Sequence, residues 1–136
     1  MIKPTILVVD DDKNFTETFV DFLKGQFNAD VYLKENAKDA LVFIDNQRVD
    51  VLFQDIHLPN DQDGIEVVKY IKKIGKNKEI SIFMISKWQY NETYVKILKD
   101  YNVDFVPKPL SLGSTKIALE ELLEARGNFD YKKKKS

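Results

Sequence analysis

The stretch Ile6-Leu7-Val8-Val9-Asp10-Asp11 places two adjacent carboxylates directly after four apolar residues. Similar arrangements recur twice along the chain. Asp55 follows Val51-Leu52-Phe53-Gln54, and Lys108 follows Asp104-Phe105-Val106-Pro107. If these short runs are buried parallel strands, their charged residues emerge at the same carboxyl edge of one sheet, where open α/β folds bind their ligands. The pattern predicts an α/β fold with an acidic pocket and one lysine at that edge.

The length of 136 residues and the composition predict a single globular domain. Hydrophobic residues make up 43% of the chain and charged residues 32%, which is too apolar for a disordered protein. The absence of cysteine excludes disulfides and thiolate metal sites. No apolar run approaches the length of a membrane span, and the beginning of the sequence lacks the apolar segment of a signal peptide. We therefore expect a cytoplasmic protein without a membrane partner.

Charge is unevenly distributed along the chain. The net charge is −1, but the four lysines at 132–135 lie near the C-terminal end, and leaving them out gives −5 for the rest. An acidic body argues against direct binding of nucleic acid, because backbone phosphates require a basic face. We interpret residues 126–136 as a basic, solvated C-terminal tail that follows a domain at residues 3–125.

Short β-type runs alternate with longer segments of helical periodicity, which is typical of a parallel sheet covered by helices on both faces. Strands are predicted at residues 5–9, 30–33, 49–54, 79–85 and 103–106. Helices are predicted at residues 13–25, 37–45, around 65–71, 89–100 and 112–127. Gly25 is expected to end the first helix, whose apolar face includes Phe15, Phe19 and Phe22.

The acids at the strand ends suit a divalent cation. Mg²⁺ prefers oxygen ligands, and Asp10, Asp11 and Asp55 would supply carboxylates from two neighbouring strands. Like charges at contact distance repel one another and raise carboxyl pKa values, so such a pocket calls for a cation. The alternative for each acid alone is that it caps the helix that follows.

Phosphoryl transfer is the chemistry that these groups support. Carboxylates such as Asp55 accept phosphoryl groups to form aspartyl phosphates. The transfer depends on positioning and charge neutralisation, which Mg²⁺ and Lys108 would provide. Ser86 follows the fourth predicted strand, and its hydroxyl would either hydrogen-bond a phosphoryl oxygen or cap the next helix.

Taken in order, these residues resemble the receiver domain of two-component response regulators, phospho-acceptors with a chemotaxis-regulator-like fold. The resemblance covers residues 3–125 and is carried by Asp10-Asp11-Asp12, Asp55, Asp63-Gly64, Ser86 and Phe105-Val106-Pro107-Lys108-Pro109. It implies a three-layer, flavodoxin-like (βα)5 fold whose five parallel strands lie in the order 2-1-3-4-5.

The resemblance also implies a role for each matching residue. Asp55 corresponds to the phospho-acceptor. Asp10 and Asp11 correspond to the Mg²⁺-binding acids, and the main-chain carbonyl of His57 would join Asp55 in completing the metal site. The hydroxyl of Ser86 and the amine of Lys108 correspond to the groups that bind the phosphoryl group. Ser86 and Phe105 correspond to the switch residues that move on activation.

The implied function is that of a response regulator in a phosphorelay rather than that of an enzyme. A sensor histidine kinase or phosphotransfer protein would supply the phosphoryl group. A downstream protein would bind the face formed by the fourth predicted helix, the fifth strand and the fifth helix. The sequence leaves open the identity of the kinase, the output pathway, an output domain beyond residue 136 and a phosphorylation-dependent homodimer.

Two features depart from the family pattern and keep other readings open. Lys87 follows Ser86, and the loop at residues 58–64 is one residue longer than usual, so phosphodonor entry or phosphate lifetime would change. A receiver-like interaction module that is no longer phosphorylated is the first alternative. The second is a small phosphatase with an Asp nucleophile, because Asp10-Asp11-Asp12 contains Asp-x-Asp after a strand, although no further acidic metal motif follows.

Overall fold

One parallel sheet of five strands organises the fold. The computed structural model describes residues 1–57, 64–74, 79–86, 96, 99, 101, 103–108 and 110–134, with residues 74 and 86 described by their backbone alone. The strands lie in the order β2-β1-β3-β4-β5, as the family resemblance implies. Their bounds are β1 (Thr5–Val9), β2 (Asp30–Lys34), β3 (Val51–Asp55), β4 (Ser81–Ser86) and β5 (Asp104–Pro107).

Helices connect the strands and cover both faces of the sheet. They are α1 (Lys13–Gln26), α2 (Ala37–Asn46), α3 (Gly64–Ile74) and a C-terminal helix (Leu112–Arg126). Of the residues that the structure describes between β4 and β5, Lys96, Lys99 and Tyr101 are helical. The rest of the helix predicted at residues 89–100 lies outside the described residues. Within the described parts of the chain, no helix has the length and apolar character needed to span a membrane.

Capping residues fix where the helices begin and end. The side chains of Asp12, Asn36 and Ser111 each accept a hydrogen bond from a backbone N–H in the first turn that follows. The C-terminal helix ends at Gly127, whose φ of 76° is the left-handed conformation that glycine adopts readily. The prediction that Gly25 ends α1 is wrong: α1 continues to Gln26 and ends where Phe27 turns extended and becomes buried.

Apolar side chains fill the space on each side of the sheet. On one side, α2 and α3 pack against inward residues of the strands such as Leu7, Leu52 and Met84. On the other side, α1 and the C-terminal helix pack against Ile6, Val8 and Phe53, among others. β3 is buried along its whole length. Burial on both faces accounts for its apolar run Val51-Leu52-Phe53, which is typical of a central parallel strand.

Residues 128–133, the C-terminal strap, pack against the amino-terminal edge of the sheet. Phe129 forms a parallel bridge with Ile2, and Lys132 forms an antiparallel bridge with Phe27. Phe129 and Tyr131 are buried, and the Tyr131 hydroxyl donates a hydrogen bond of 2.6 Å to Glu124. The prediction of a solvated tail is therefore wrong for these aromatic residues. The side chains of residues 132–134 are exposed, as predicted.

Candidate functional site

The carboxyl ends of β1, β3 and β5 meet at one edge of the sheet. Val9 pairs with Gln54 and Asp55 pairs with Ile85, so the acids that end β1 and β3 lie side by side. Carboxylate oxygens of Asp10, Asp11 and Asp55 all lie within 4.8 Å of one another. Asp10 and Asp55 are buried, and Asp11 is exposed. The structure thus brings together the three acids that the sequence singled out.

Lys108 is the cation of this cluster. Its ammonium nitrogen lies 2.6 Å from Oδ2 of Asp10 and 3.7 Å from Oδ2 of Asp55. Its side chain is only 6% exposed, and it directly follows Pro107, the last residue of β5, which pairs with Ser86 at the end of β4. An ammonium group that is so well shielded from water needs a negative partner, and Asp10 is the closer of the two. The ion pair with Asp10 therefore holds Lys108 beside Asp55.

Backbone amides orient the two buried carboxylates. The N–H of Asp12 donates to Oδ1 of Asp10 at 2.9 Å, and the N–H of His57 donates to Oδ1 of Asp55 at 3.1 Å. Each carboxylate therefore has one oxygen held by the backbone and the other directed toward Lys108. Asp12 caps α1 by accepting from the N–H of Phe15. The N-cap of α1 is thus Asp12, and not Asp10 or Asp11, for which capping was the alternative.

Burial and like charge perturb the titration of Asp55. Removal from water, and after it the negative charge of Asp10, raise the pKa of this carboxyl from 3.8 to about 7. The positive charge of Lys108 and the hydrogen bond from His57 act in the opposite direction and are weaker. In the absence of another cation, Asp55 is therefore part protonated near neutral pH.

The other predicted site residues are only partly described. His57 is exposed, and its role through the main-chain carbonyl stays a prediction. Ser86 ends β4 and pairs with Pro107, one position beyond the Ile85 that pairs with Asp55, while its side chain lies outside the described residues. Phe105 is partly buried against the α2–α3 side of the core. Lys87 and residues 58–63 also lie outside the described residues.

Two residues that support Asp55 received no role from the sequence. Gly64 begins α3 against the backbone of Asp55, where an added Cβ would stand 1.9 Å from the Asp55 carbonyl oxygen. Gln54 is fully buried, and its Nε2 donates to the same carbonyl at 2.9 Å. Gly64 was visible in the sequence only as part of a family pattern. A glutamine that interrupts an apolar strand one residue before the acid was the signal for Gln54.

The fold and this site define a flavodoxin-like α/β protein with an acidic pocket and a lysine at the carboxyl edge of its sheet. Residues 6–120 match the family described as response regulator receiver domain. The chain belongs to this family.

Relatives and solved structures agree with this assignment. The chain is 26% identical over 126 residues to the response regulator protein PilR of Pseudomonas aeruginosa, covering 93% of this chain and 27% of that protein. It is 32% identical over 123 residues to a cyclic di-GMP phosphodiesterase of Thermotoga maritima, covering 90% of this chain and 32% of that protein. The chain thus spans about a third or less of the length of these two relatives.

Among solved structures, the receiver domain of the Francisella response regulator 1452 superposes with a TM-score of 0.79 at 26% identity, covering 91% of this chain and 99% of that one. A CheY-like response regulator receiver domain protein from Methanospirillum hungatei gives 0.81 at 22% identity, covering 91% and 96%. At 22% identity, the similarity to the Methanospirillum hungatei protein supports the fold alone.

Proposed function

We propose that the chain accepts a phosphoryl group on Asp55 in a Mg²⁺-dependent reaction and thereby switches a protein-interaction surface. A phosphohistidine of a sensor kinase or of a phosphotransfer protein would be the donor. The observation that carries the proposal is the convergence of three carboxylates within 4.8 Å, with Lys108 2.6 Å from Asp10 and 3.7 Å from Asp55. Membership of the receiver family supports the same assignment.

The donor set fits a hard divalent cation. Asp10, Asp11 and Asp55 would hold it with carboxylate oxygens, and the main-chain carbonyl of His57 would add a neutral oxygen. Two of these acids are buried side by side, and Lys108 supplies only one positive charge for the three of them. A bound Mg²⁺ would neutralise negative charge on the phosphoryl oxygens and help to orient them.

The side chains of this protein would then perform the transfer. One carboxylate oxygen of Asp55 attacks the phosphorus, forming a P–O bond as the P–N bond to the donor histidine breaks. The His57 N–H fixes one Asp55 oxygen and so leaves the other, Oδ2, available for the attack. Lys108 already lies near Oδ2 and would pair with the incoming phosphoryl oxygens. Asp10 keeps the amine in place before the donor arrives.

The switch would begin with the new negative charge on Asp55. Lys108 and the hydroxyl of Ser86 would move toward the phosphoryl group, and Phe105 would move into the space that is vacated. Phe105 lies in β5, next to the C-terminal helix in sequence, so its movement would alter the face that includes both elements. A downstream protein or a second copy of the chain would bind that face.

The direct test is incubation of the protein with acetyl phosphate and Mg²⁺, followed by intact-mass and peptide analysis. We expect one acid-labile phosphoryl group on Asp55, absent after Asp55→Asn and retained after Asp21→Asn, a matched change at an exposed acid of α1. Label on Asp10 that survives Asp55→Asn would support the phosphatase alternative. Absence of any adduct, from acetyl phosphate and from histidine kinases alike, would support an interaction module without phosphorylation.

A further inference from the structure

An aromatic ring lies directly against the buried lysine of the site. The ammonium nitrogen of Lys108 stands 4.5 Å from the centre of the Phe15 ring, within the range of a cation–π contact. Phe15 belongs to the first turn of α1, next to the Asp12 cap. Such a contact strengthens as water is excluded, and the Lys108 side chain is only 6% exposed.

Phe15 is itself held by a column of aromatic rings that crosses into the sheet. Its ring stacks on Phe19 at 5.4 Å, and Phe19 meets Phe53 edge-on at 5.0 Å. Phe53 stacks in turn on Phe83 of β4 at 4.8 Å. Phe53 lies two residues before Asp55 on the same strand. The column thus fixes the position of the Phe15 ring relative to the strand that carries the acceptor.

Lys108 would have room to move if the ring did not hold it. A cavity of about 510 Å³ opens beside Lys108 and Phe15, with Asn14, Thr18, Leu110 and Leu112 among its lining residues. Lysine has a flexible four-carbon side chain. Unlike the planar guanidinium of arginine, its ammonium group does not fix the direction from which it approaches a carboxylate. The ion pair with Asp10 restrains the amine, and the Phe15 ring, which lines the same cavity, is a further contact of the amine.

We infer that Phe15 is a positioning residue that holds Lys108, through a cation–π contact, in the place from which it meets the phosphoryl group on Asp55. This inference rests on the proposed phosphorylation of Asp55. Phe15 is not among the residues that carry the resemblance to the receiver family. The inference therefore adds a residue to the site and assigns the aromatic column the task of pre-organising its cation.

The test replaces Phe15 by phenylalanines that carry one, two or three ring fluorines. Fluorination keeps the shape of the ring and withdraws the negative charge of its face, so it weakens a cation–π contact while it preserves packing. We expect the rate of phosphorylation by acetyl phosphate and Mg²⁺ to fall stepwise, by about threefold to tenfold at three fluorines. Phe15→Tyr should keep most of the rate, and Phe15→Leu should lose at least as much as the trifluorinated protein.

The matched control is the same fluorination at Phe129. Its ring lies 4.8 Å from the guanidinium of Arg126, in the C-terminal strap at the opposite edge of the sheet. We expect no change in the phosphorylation rate. A second readout needs no phosphodonor: the ring current of Phe15 should shift the ε-CH2 protons of Lys108 upfield in NMR spectra, and Phe15→Leu should abolish that shift.

The outcomes separate this inference from the proposed function. Normal phosphorylation of Asp55 with a rate that is constant or rising across the fluorinated series overturns the role of Phe15 alone. So does a Lys108 resonance that Phe15→Leu leaves unchanged. If the unsubstituted protein acquires no phosphoryl group on Asp55 from any donor, the proposed function fails and the positioning role fails with it, whatever the NMR spectra show.

Discussion

Replacing Asp55 by asparagine should stabilise the protein in the absence of divalent cations. The carboxyl of Asp55 is buried beside Asp10, and both effects make its ionised form unfavourable in the folded state. Asparagine has nearly the same shape and no charge. Its side-chain oxygen can still accept from the His57 N–H, and Lys108 keeps its closer partner, Asp10. The substitution therefore removes an unfavourable charge and leaves the surrounding contacts in place, apart from the longer ion pair of 3.7 Å with Lys108.

The size of the effect follows from the pKa of Asp55. A shift from 3.8 to about 7 corresponds to about 4 kcal/mol at about 1.36 kcal/mol per pKa unit. Asp11 is exposed, so solvent reaches the pocket and screens part of this energy. We expect Asp55→Asn to raise the free energy of unfolding by about 2 kcal/mol at pH above 7.

The raised pKa of Asp55 makes the stability of the protein fall as the pH rises. Between the unfolded pKa and about 7, the folded state binds more protons at Asp55 than the unfolded state does. The contribution of the protonated Asp55 carboxyl to the free energy of unfolding is therefore fully present below pH 3.8. It is lost as the pH rises through about 7. The advantage of Asp55→Asn should accordingly grow from about pH 4 to about pH 7 and level off above that.

Urea unfolding in EDTA at a series of pH values measures this difference directly. Asp21→Asn on the exposed face of α1 is the control, and its stability should follow that of the unsubstituted protein within about 0.5 kcal/mol. Equal stability of Asp55→Asn and the unsubstituted protein at about pH 8 would refute the reasoning. An advantage that shrinks as the pH rises would refute it equally, because it would mean that the folded state favours the charged form of Asp55.

Three further predictions follow from the contacts at the two edges of the sheet. Mg²⁺ at about a hundred times its dissociation constant should raise the unfolding free energy by about 2.7 kcal/mol. Asp10→Asn should lose most of this gain, because a calorimetric titration should show that it binds Mg²⁺ more weakly. Gly64→Ala should cost about 3 kcal/mol or more and slow phosphorylation, because its Cβ would collide with the Asp55 carbonyl; Gly25→Ala, which meets nothing within 4 Å, should gain about 0.5–1 kcal/mol. Phe129→Ala should cost about 3 kcal/mol in thermal unfolding and leave the phosphorylation rate unchanged. A Gly64→Ala protein that is as stable as Gly25→Ala would contradict the second prediction. A Phe129→Ala protein that is phosphorylated more slowly than the unsubstituted protein would contradict the third.

The strands and most helices were predictable because their signals are local. β1 was predicted at residues 5–9 and lies at Thr5–Val9, and the C-terminal helix begins at Leu112 as predicted. Hydrophobic period and helix caps lie within a few residues of the element they define. The end of α1 was missed, since it depends on the burial of Phe27 under the C-terminal strap, about a hundred residues further along the chain.

The candidate site also has features that the sequence predicts and features that it does not. Convergence of Asp10 and Asp55 follows from parallel strands alone, because the carboxyl ends of neighbouring strands meet at one edge whatever their side chains do. The pairing of Lys108 with Asp10 in preference to Asp55 and the contact with Phe15 depend on side-chain conformation across three elements. No spacing in the sequence encodes those distances. The convergence of the charged side chains was therefore predictable, and the order of their contacts was not.

The strap and the site lie at opposite ends of α1, which explains why we expect Phe129→Ala to leave phosphorylation unchanged. One line of buried or partly buried residues runs down the helix at intervals of four, from Phe15 beside Lys108 to Phe27 beside the strap. A truncation at the strap removes contacts around Phe27 and frays the last turn. The first turn keeps the Asp12 cap and its aromatic column, neither of which includes a strap residue. Sites that share no partner usually contribute independently, so the strap should stabilise the fold without setting the geometry of the pocket.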